Sequence, residues 1–411
     1  MENIYYIVSF LKGRIMEKKN NGKFFTSLSL GTAAVWFSTH CGAGFASGTQ
    51  ELQYFANHGW FGPWMPIISI VLMGIIYYVG WETARQTDVW NYDGWTKLAY
   101  DPLGKFCSVA MDISIIILTI SASAASIASG AELLNQTFGV PTFIGSIIMF
   151  AIITLLCVFG ETVVRKNAMV MTIAILVIIT IIIVLGLVKY WPNIVDLYSQ
   201  HYVNPHATKW SLTGAGGETK GNFFNSLLFA LTYTGFQFGV IAGTTSAFRG
   251  AKYKNEAKGG IIAGIVMNSI MLCGVCLLIF ANMPGIFTDE QARLLPTVYI
   301  VNHLGAPILK VIYPILLFLA LITTAVGVTF GLVQRLDPYV FKKVENITVR
   351  RSIIAILILI VCYAVSNLGL MWVVQVAYKY LGIFNWIFLI IPLLIFGYKN
   401  IKKRDKAAMN K

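Results

Sequence analysis

The sequence predicts an all-α membrane protein of about ten transmembrane helices in a five-plus-five inverted repeat, with helices 1 and 6 broken. Three observations lead there: a composition poor in charge, ten apolar runs of spanning length, and matching glycine-rich defects in the first and sixth of those runs.

Of 411 residues, 57% are hydrophobic and 12% charged, and the mean hydropathy is +0.70. Soluble domains carry about 25% charged residues, so the bilayer must be the main solvent. The 31 Lys and Arg against 18 Asp and Glu give a net charge of +13. That balance alone would suggest nucleic acid, but the basic residues cluster in short loops between apolar runs, the positive-inside pattern.

Runs able to cross about 30 Å of hydrocarbon fall near 25–57, 62–84, 104–136, 141–160 and 164–188, then near 221–249, 257–282, 306–335, 350–367 and 369–398. With a cytoplasmic N-terminus, 25 of the 31 basic residues sit at inside segments, and an even span count keeps the basic tail inside. The expected organisation is a cytoplasmic segment 1–24, a first five-helix repeat 25–188, an extracellular loop 189–220, a second repeat 221–398 and a basic cytoplasmic tail 399–411. The expected location is a bacterial-type cytoplasmic membrane. Ile4 to Leu11 is apolar but short and is followed by Lys18, Lys19 and Lys23, which reads as a frayed or interfacial helix rather than a cleavable signal.

Six scattered cysteines indicate no disulfide framework, and Cys273-Gly-Val-Cys276 lies inside span 7, where small residues serve close packing. In the loop between spans 7 and 8, Thr288-Asp-Glu-Gln291 resembles a capping box opening a short helix. No soluble segment is large enough for a separate enzyme domain. No His-Glu-x-x-His, paired in-span acids or nucleophile and base set appears, so the chain reads as a non-enzyme without an organic cofactor.

Span 1 carries Thr39-His-Cys-Gly-Ala-Gly-Phe-Ala-Ser-Gly48, and span 6 carries Thr232-Tyr-Thr-Gly-Phe-Gln-Phe-Gly-Val-Ile-Ala-Gly243 with the expected break at Thr234 to Gln237. An odd number of spans per half inserts the two halves in opposite orientation, and backbone freed at membrane depth is tolerated where it lines a cavity. Where span 1 stops, carbonyls from Ser38 to Cys41 present negative partial charge; where it restarts, amides from Ala43 to Ala46 present positive partial charge. One side suits a cation and the other a carboxylate. Span 6 offers carbonyls near Thr232 to Thr234 and amides near Gln237 to Gly239, with Tyr233, Phe236 and Phe238 as an apolar wall and lid and Gln237 as a neutral polar contact.

Span 8 adds Ala320-Leu-Ile-Thr323-Thr324 near its centre. Positions i, i+3 and i+4 share a helix face, so the Ala320 carbonyl and the Thr323 and Thr324 hydroxyls present hard oxygen ligands to an alkali cation. Against this stands the ordinary habit of a helical Thr of bonding back to its own helix.

Gly42-Ala-Gly-Phe-Ala-Ser-Gly48 with Glu51 resembles the signature of the YkvI-type family of bacterial membrane proteins, classed as amino-acid permeases. More broadly, the span count, the two broken helices and the Ala320, Thr323 and Thr324 triplet are similar to transporters of the leucine-transporter fold. The resemblance implies alternating access and a single sodium held by the carbonyls of Ser38, Cys41 and Ala320 with the hydroxyls of Thr323 and Thr324. It implies a substrate carboxylate on amides of Gly42, Ala43, Gly44 and Phe45. The contacts implied from span 6 are Tyr233, Thr234, Gly235, Phe236 and Gln237. Phe45 stands where sodium-dependent neurotransmitter-type relatives place an Asn ligand, which limits the expectation to one sodium. Span 3 lacks a central Tyr and offers Thr119, Ser121, Ser123 and Ser126 instead, of which Ser123 is the chosen contact.

Ionisable groups at membrane depth are functional candidates. His40 precedes the break and is read equally as a proton carrier or a cap on freed carbonyls; Asp112 in span 3 is read as an ion-pair partner or proton sensor. In the related fold the half-helices of Glu51 and Lys379 face each other near the outer vestibule, so the resemblance implies that the two pair as one gate. The alternative is that each snorkels to the interface. Lys23 with Asp337 is the expected opposite gate.

Three functions fit these residues. The first is a sodium-coupled symporter of an amino acid or similar small zwitterion or amine. The second is a proton-coupled or exchanging permease in which His40, Asp112 or Lys379 replaces the ion. The third, ranked last because polar groups concentrate mid-span, is a membrane sensor or channel. The partners implied are a small-molecule substrate and the lipid bilayer, with no nucleic acid and no obligatory protein partner.

Overall fold

The computed structural model describes residues 22–40, 42–159 and 161–409. Span 1 is three helices in sequence, α1 (Ser27–His40), α2 (Ala43–Ser47) and α3 (Thr49–Tyr54), closed by a 3-10 turn at Ala56–His58. Span 2 is α4 (Met65–Thr87), and the short α5 (Tyr92–Ala99) leads into α6 (Gly104–Phe138), α7 (Thr142–Phe159) and α8 (Glu161–Ser199), spans 3 to 5. The second half opens after strands β1 (Ala207–Thr208) and β2 (Glu218–Thr219). It contains α9 (Phe223–Gln237) and α10 (Ile241–Ala247) as span 6 and α11 (Lys254–Ala281) as span 7. Three short helices follow, α12 (Gly285–Thr288), α13 (Glu290–Leu294) and α14 (Pro296–His303), before α15 (Pro307–Leu336), α16 (Ile347–Ser366) and α17 (Leu370–Ala407), spans 8 to 10. Among the described residues nine helices are long and apolar enough to cross a membrane, and interrupted span 1 is the tenth crossing.

Helix starts are set by side-chain caps on otherwise apolar segments. The Asn91 side chain accepts from Gly94 N (2.8 Å), Asn222 from Asn225 N (2.8 Å), and Asn346 from Thr348 N and Val349 N (3.0 and 3.2 Å). The helix foreseen at Thr288 begins one residue later than a Thr cap implies: Asp289 caps α13 by accepting from Gln291 N and Ala292 N.

The packing follows the repeat. Spans 1, 2, 6 and 7 pack on one another, through α1 and α4 on α11 and through α9 and α10 on α4 and α1. Spans 3, 4, 8 and 9 form the second group, with α6 against α15, α7 and α16. Each group maps onto itself when five spans are added, as an inverted repeat requires. Span 5 lies on spans 7 and 8, and span 10 on spans 6 and 3. At one end, the terminal end, where the described residues begin and finish, Asn255 Nδ2 donates to Gly22 O (3.3 Å) and Lys254 pairs with Asp405 (2.8 Å). At the other end, the hairpin end, Asn204 Nδ2 donates to Asn57 O (2.8 Å) beside the antiparallel pair Ala207↔Thr219.

Two expectations are corrected here. The loop expected from residue 189 is helical to Ser199, because α8 continues through Pro192. Span 6 does not open at Thr234 to Gln237: α9 is helical through Gln237, and the interruption is a 3-10 turn at Phe238–Val240. The glycine there serves close packing, since a Cβ on Gly235 would lie 2.5 Å from Gly382 O of span 10 and one on Gly382 would lie 2.6 Å from Thr232 O.

Candidate functional site

The site begins where α1 ends at His40. Cys41, an expected carbonyl ligand, lies outside the described residues. Gly42 then takes an extended conformation (φ −80°, ψ −161°) as the cap of α2, and Gly48 at φ +80° separates α2 from α3. That second break needs glycine twice over: the backbone is left-handed, and a Cβ would stand 2.5 Å from Thr297 Oγ1.

The break opens onto a cavity of about 110 Å³ near the middle of the spans. Span 1 contributes Thr39, His40, Gly42, Gly44 and Phe45 to its wall, span 3 Ser126 and Ser129, span 6 Phe236 and Gln237, span 8 Thr324, and span 10 Tyr378. Gly42 faces Thr324, whose Oγ1 would be 3.8 Å from a Cβ at that position. Ala43 opens α2.

Four expected contacts lie off the cavity. The Ser123 hydroxyl pairs with Thr329 Oγ1 (3.1 Å) between spans 3 and 8. Thr234 donates toward Ala230 O (3.2 Å) and Ser69 O (3.3 Å), and Gly235 packs on Gly382. Tyr233 stands behind the wall, its hydroxyl 2.8 Å from His40 Nε2 and 3.4 Å from Gln237 Nε2.

His40 does not cap the freed carbonyls. It is buried and hydrogen-bonded at both ring nitrogens, with Nδ1 2.6 Å from Asn268 Oδ1. Asn268 Nδ2 donates to Gly264 O (2.8 Å), so its oxygen accepts from Nδ1–H and leaves Nε2 to accept from the Tyr233 hydroxyl. Asn268, missed in the sequence, is a lone amide within apolar span 7, and that isolation is its signal.

Of the expected cation ligands, Thr323 Oγ1 bonds back to Ala320 O (3.1 Å) and Ser38 Oγ to Val35 O (3.0 Å). Among the described members of that set, Thr324 alone appears in the cavity wall.

Neither expected gate forms as drawn. Gln53 Oε1 accepts from Gln375 Nε2 (3.0 Å) and the Tyr54 hydroxyl donates to Val374 O (2.6 Å), tying α3 to span 10. Glu51 forms no ion pair with Lys379 among the described residues; it lies beside Cys276 of span 7, which its main-chain carbonyl meets. Lys379 donates to Ser211 O (2.8 Å) and to Gly214 O. Above the cavity Tyr54 meets Phe236 (5.3 Å) and Tyr378 stacks on Phe236 (4.7 Å, 18°), so aromatic rings cover the cavity toward the hairpin end.

At the terminal end, Asp337 binds Arg350 (2.6 Å) and Arg351 (3.0 Å) rather than Lys23. The Arg350 hydrogen bond is the largest influence and, with that of Arg351, holds its carboxyl below the ordinary range against the opposing effect of desolvation. Asp112 pairs with Arg335 (2.9 Å) and accepts from the Tyr92 hydroxyl, joining spans 3 and 8.

No family model and no curated protein matches the chain, so the YkvI-type resemblance rests on its residues alone. Solved structures do match. The inward-facing conformation of Mhp1 aligns at 12% identity over 86% of this chain and 75% of its own, with a TM-score of 0.53. A Na+-coupled sialic acid symporter in a substrate-bound outward-open state aligns at 12% identity over 91% and 81%, TM-score 0.52. The Eremococcus coleocola manganese transporter, bound to an aromatic bis-isothiourea compound, aligns at 13% identity over 91% and 84%, TM-score 0.57. The chain is a multi-pass membrane protein with the leucine-transporter fold.

Proposed function

We propose that the protein is a secondary active transporter, not an enzyme, that moves an amino acid or similar small zwitterion or amine by alternating access, coupled to one sodium ion. The observation that carries this reading is the small cavity enclosed by the break in span 1, the interrupted span 6 and Thr324 of span 8.

Among the described residues the wall holds no carboxylate, ammonium or guanidinium. A solute with a large net charge would stay uncompensated there, whereas a zwitterion can be met by helix-end dipoles, hydroxyls and the Gln237 amide. Among the described residues no group of three His, Cys, Asp or Glu is placed to hold a metal ion, which argues against the cargo named for the manganese transporter. About 110 Å³ is room for a few waters or a small solute. In this reading sodium lies between the carbonyls of Ser38, Cys41 and Ala320 and the hydroxyls of Thr323 and Thr324, with Thr323 turning from Ala320 O to the ion.

A ligand stabilises the folded state by its binding free energy. A thermal-shift screen of amino acids, amines and nucleobases is expected to give a small zwitterion that raises Tm in sodium and not in choline. Stabilisation by nucleobases alone, or equal stabilisation in both salts, overturns the assignment. The second reading, proton coupling, has His40 in the cavity wall as its supporting observation, and uptake driven by a pH gradient at zero sodium selects it.

A further inference from the structure

Among the described residues, one buried carboxyl outside the cavity has no contact that explains it. Glu51 on α3 is fully buried, and neither carboxylate oxygen has a hydrogen-bond partner. The groups that face it are the Cys276 thiol of span 7 and the Tyr313 phenol of span 8. Each is committed elsewhere: Cys276 Sγ lies 3.9 Å from the main-chain carbonyl of Glu51, and the Tyr313 hydroxyl donates to Ala46 O. On the remaining elements packed against α3, Arg293 and Glu290 of α13 form no ion pair with it among the described residues. Tyr54, Tyr233 and Tyr378 group around Phe236, toward spans 6 and 10. An ionised carboxylate buried without counter-charge or donor is expensive, and the neutral acid far less so.

The segment that carries Glu51 is also bounded by two positions able to act as hinges. Gly48 (φ +80°) and Gly59 (φ +131°) bracket α3 and its following turn, in backbone conformations that let a short element pivot. The segment packs on its neighbours through Leu52, Tyr54 and Phe55, and its side-chain hydrogen bonds to the spans are those of Tyr54 to Val374 O, Gln53 to Gln375 and Thr49 Oγ1 to Leu294 O (2.6 Å).

From this burial and this hinge we infer that Glu51 is a proton-binding site: its carboxyl is the neutral acid while α3 lies on span 7 and ionises when α3 swings away and admits water. The inference rests on the transporter reading for its purpose, because a proton released at one stage of alternating access links pH to the cycle. Its site is separate from the cavity and from the sodium ligands.

Two measurements on the full chain in liposomes test it without any substrate. Infrared spectra at pH 8 are expected to show a protonated-carboxyl carbonyl band that is absent from Glu51→Gln. Alkylation of Cys276 by a water-soluble maleimide, read site by site by mass spectrometry, reports whether α3 has left span 7. The wild-type to Glu51→Gln ratio of rates cancels the thiol's own titration. That ratio is expected to rise with pH by up to about tenfold per unit, the limit for one proton. Glu51→Asp keeps a titratable group and is expected to keep the pH dependence. Absence of the band, or a ratio that stays flat with pH, including no alkylation in either protein, overturns the proposal. Failure to find a transported solute would count against the transporter reading and leave both readouts intact.

Discussion

Gly235 of span 6 and Gly382 of span 10 interlock: each sits where a side chain would strike the other helix, at 2.5 Å from Gly382 O and 2.6 Å from Thr232 O respectively. Around that crossing Asn385 Nδ2 donates to Gly235 O (2.9 Å) and Trp386 Nε1 to Leu231 O (2.6 Å), fixing span 10 against the helical part of span 6. Gly235→Ala must push the backbones apart. A loss of about 1–3 kcal/mol is expected, typical of overpacking, read as a lower midpoint in denaturant. An unchanged midpoint would show that the two helices are not in this register.

The Asn268 amide holds the His40 ring in one orientation. Asn268→Leu leaves Nδ1–H buried without an acceptor, which costs about 1–3 kcal/mol. The check is the thermal stability of Asn268→Leu beside His40→Leu/Asn268→Leu, and the double variant is expected to recover part of the loss. No recovery would contradict the hydrogen bond as described.

Contacts between helices far apart in the chain are the opaque part of the sequence, and these two pairs show why. The span count, the repeat and the broken first helix follow from local apolar runs and from glycines, which report on backbone wherever they stand. Gly235 signalled a defect in span 6 but not its kind, because the partner Gly382 is 147 positions along the chain and only the fold brings it near. Depth and the related fold imply a Glu51 and Lys379 pair, but neither encodes the local packing that places Glu51 beside Cys276 of span 7 and Lys379 on the carbonyls of Ser211 and Gly214. In the cavity wall Gly42, Gly44, Phe45, Phe236 and Gln237 were legible, whereas Ser126 stands there in place of Ser123 because α6 presents a face set by its packing on α15.

Tyr54 closes the hairpin end through its hydroxyl on Val374 O. Tyr54→Phe retains the ring packing and removes one hydrogen bond, about 1 kcal/mol, which corresponds to roughly a fivefold shift of the closed-to-open equilibrium toward open. Faster maleimide labelling of a cysteine placed at Leu370, in the cavity wall, is the expected readout. Equal rates in the two proteins would argue that this contact does not hold the end shut.

Asp337 makes the terminal end acid-sensitive. Its carboxyl is held below its ordinary value of about 3.9, chiefly by Arg350 and then by Arg351, so the contribution is present above that value and is lost as pH falls through the lower, folded value. The Tm gap between wild type and Asp337→Asn is therefore expected to be constant from pH 8 to about 5 and to close below about pH 4. A gap that persists into strong acid would mean the two arginines contribute nothing through charge.

The central claim is that Thr324, facing the broken backbone at Gly42, belongs to a sodium site that drives solute across the membrane. Uptake of a mixture of radiolabelled small neutral amino acids into liposomes holding the full chain tests it most directly, under an inward sodium gradient and under choline. Accumulation in sodium alone, reduced at least about tenfold by Thr324→Ala, is the predicted result, since loss of a ligand to a desolvated ion is worth more than 1.4 kcal/mol. Accumulation that is equal in choline, or untouched by Thr324→Ala, would contradict it.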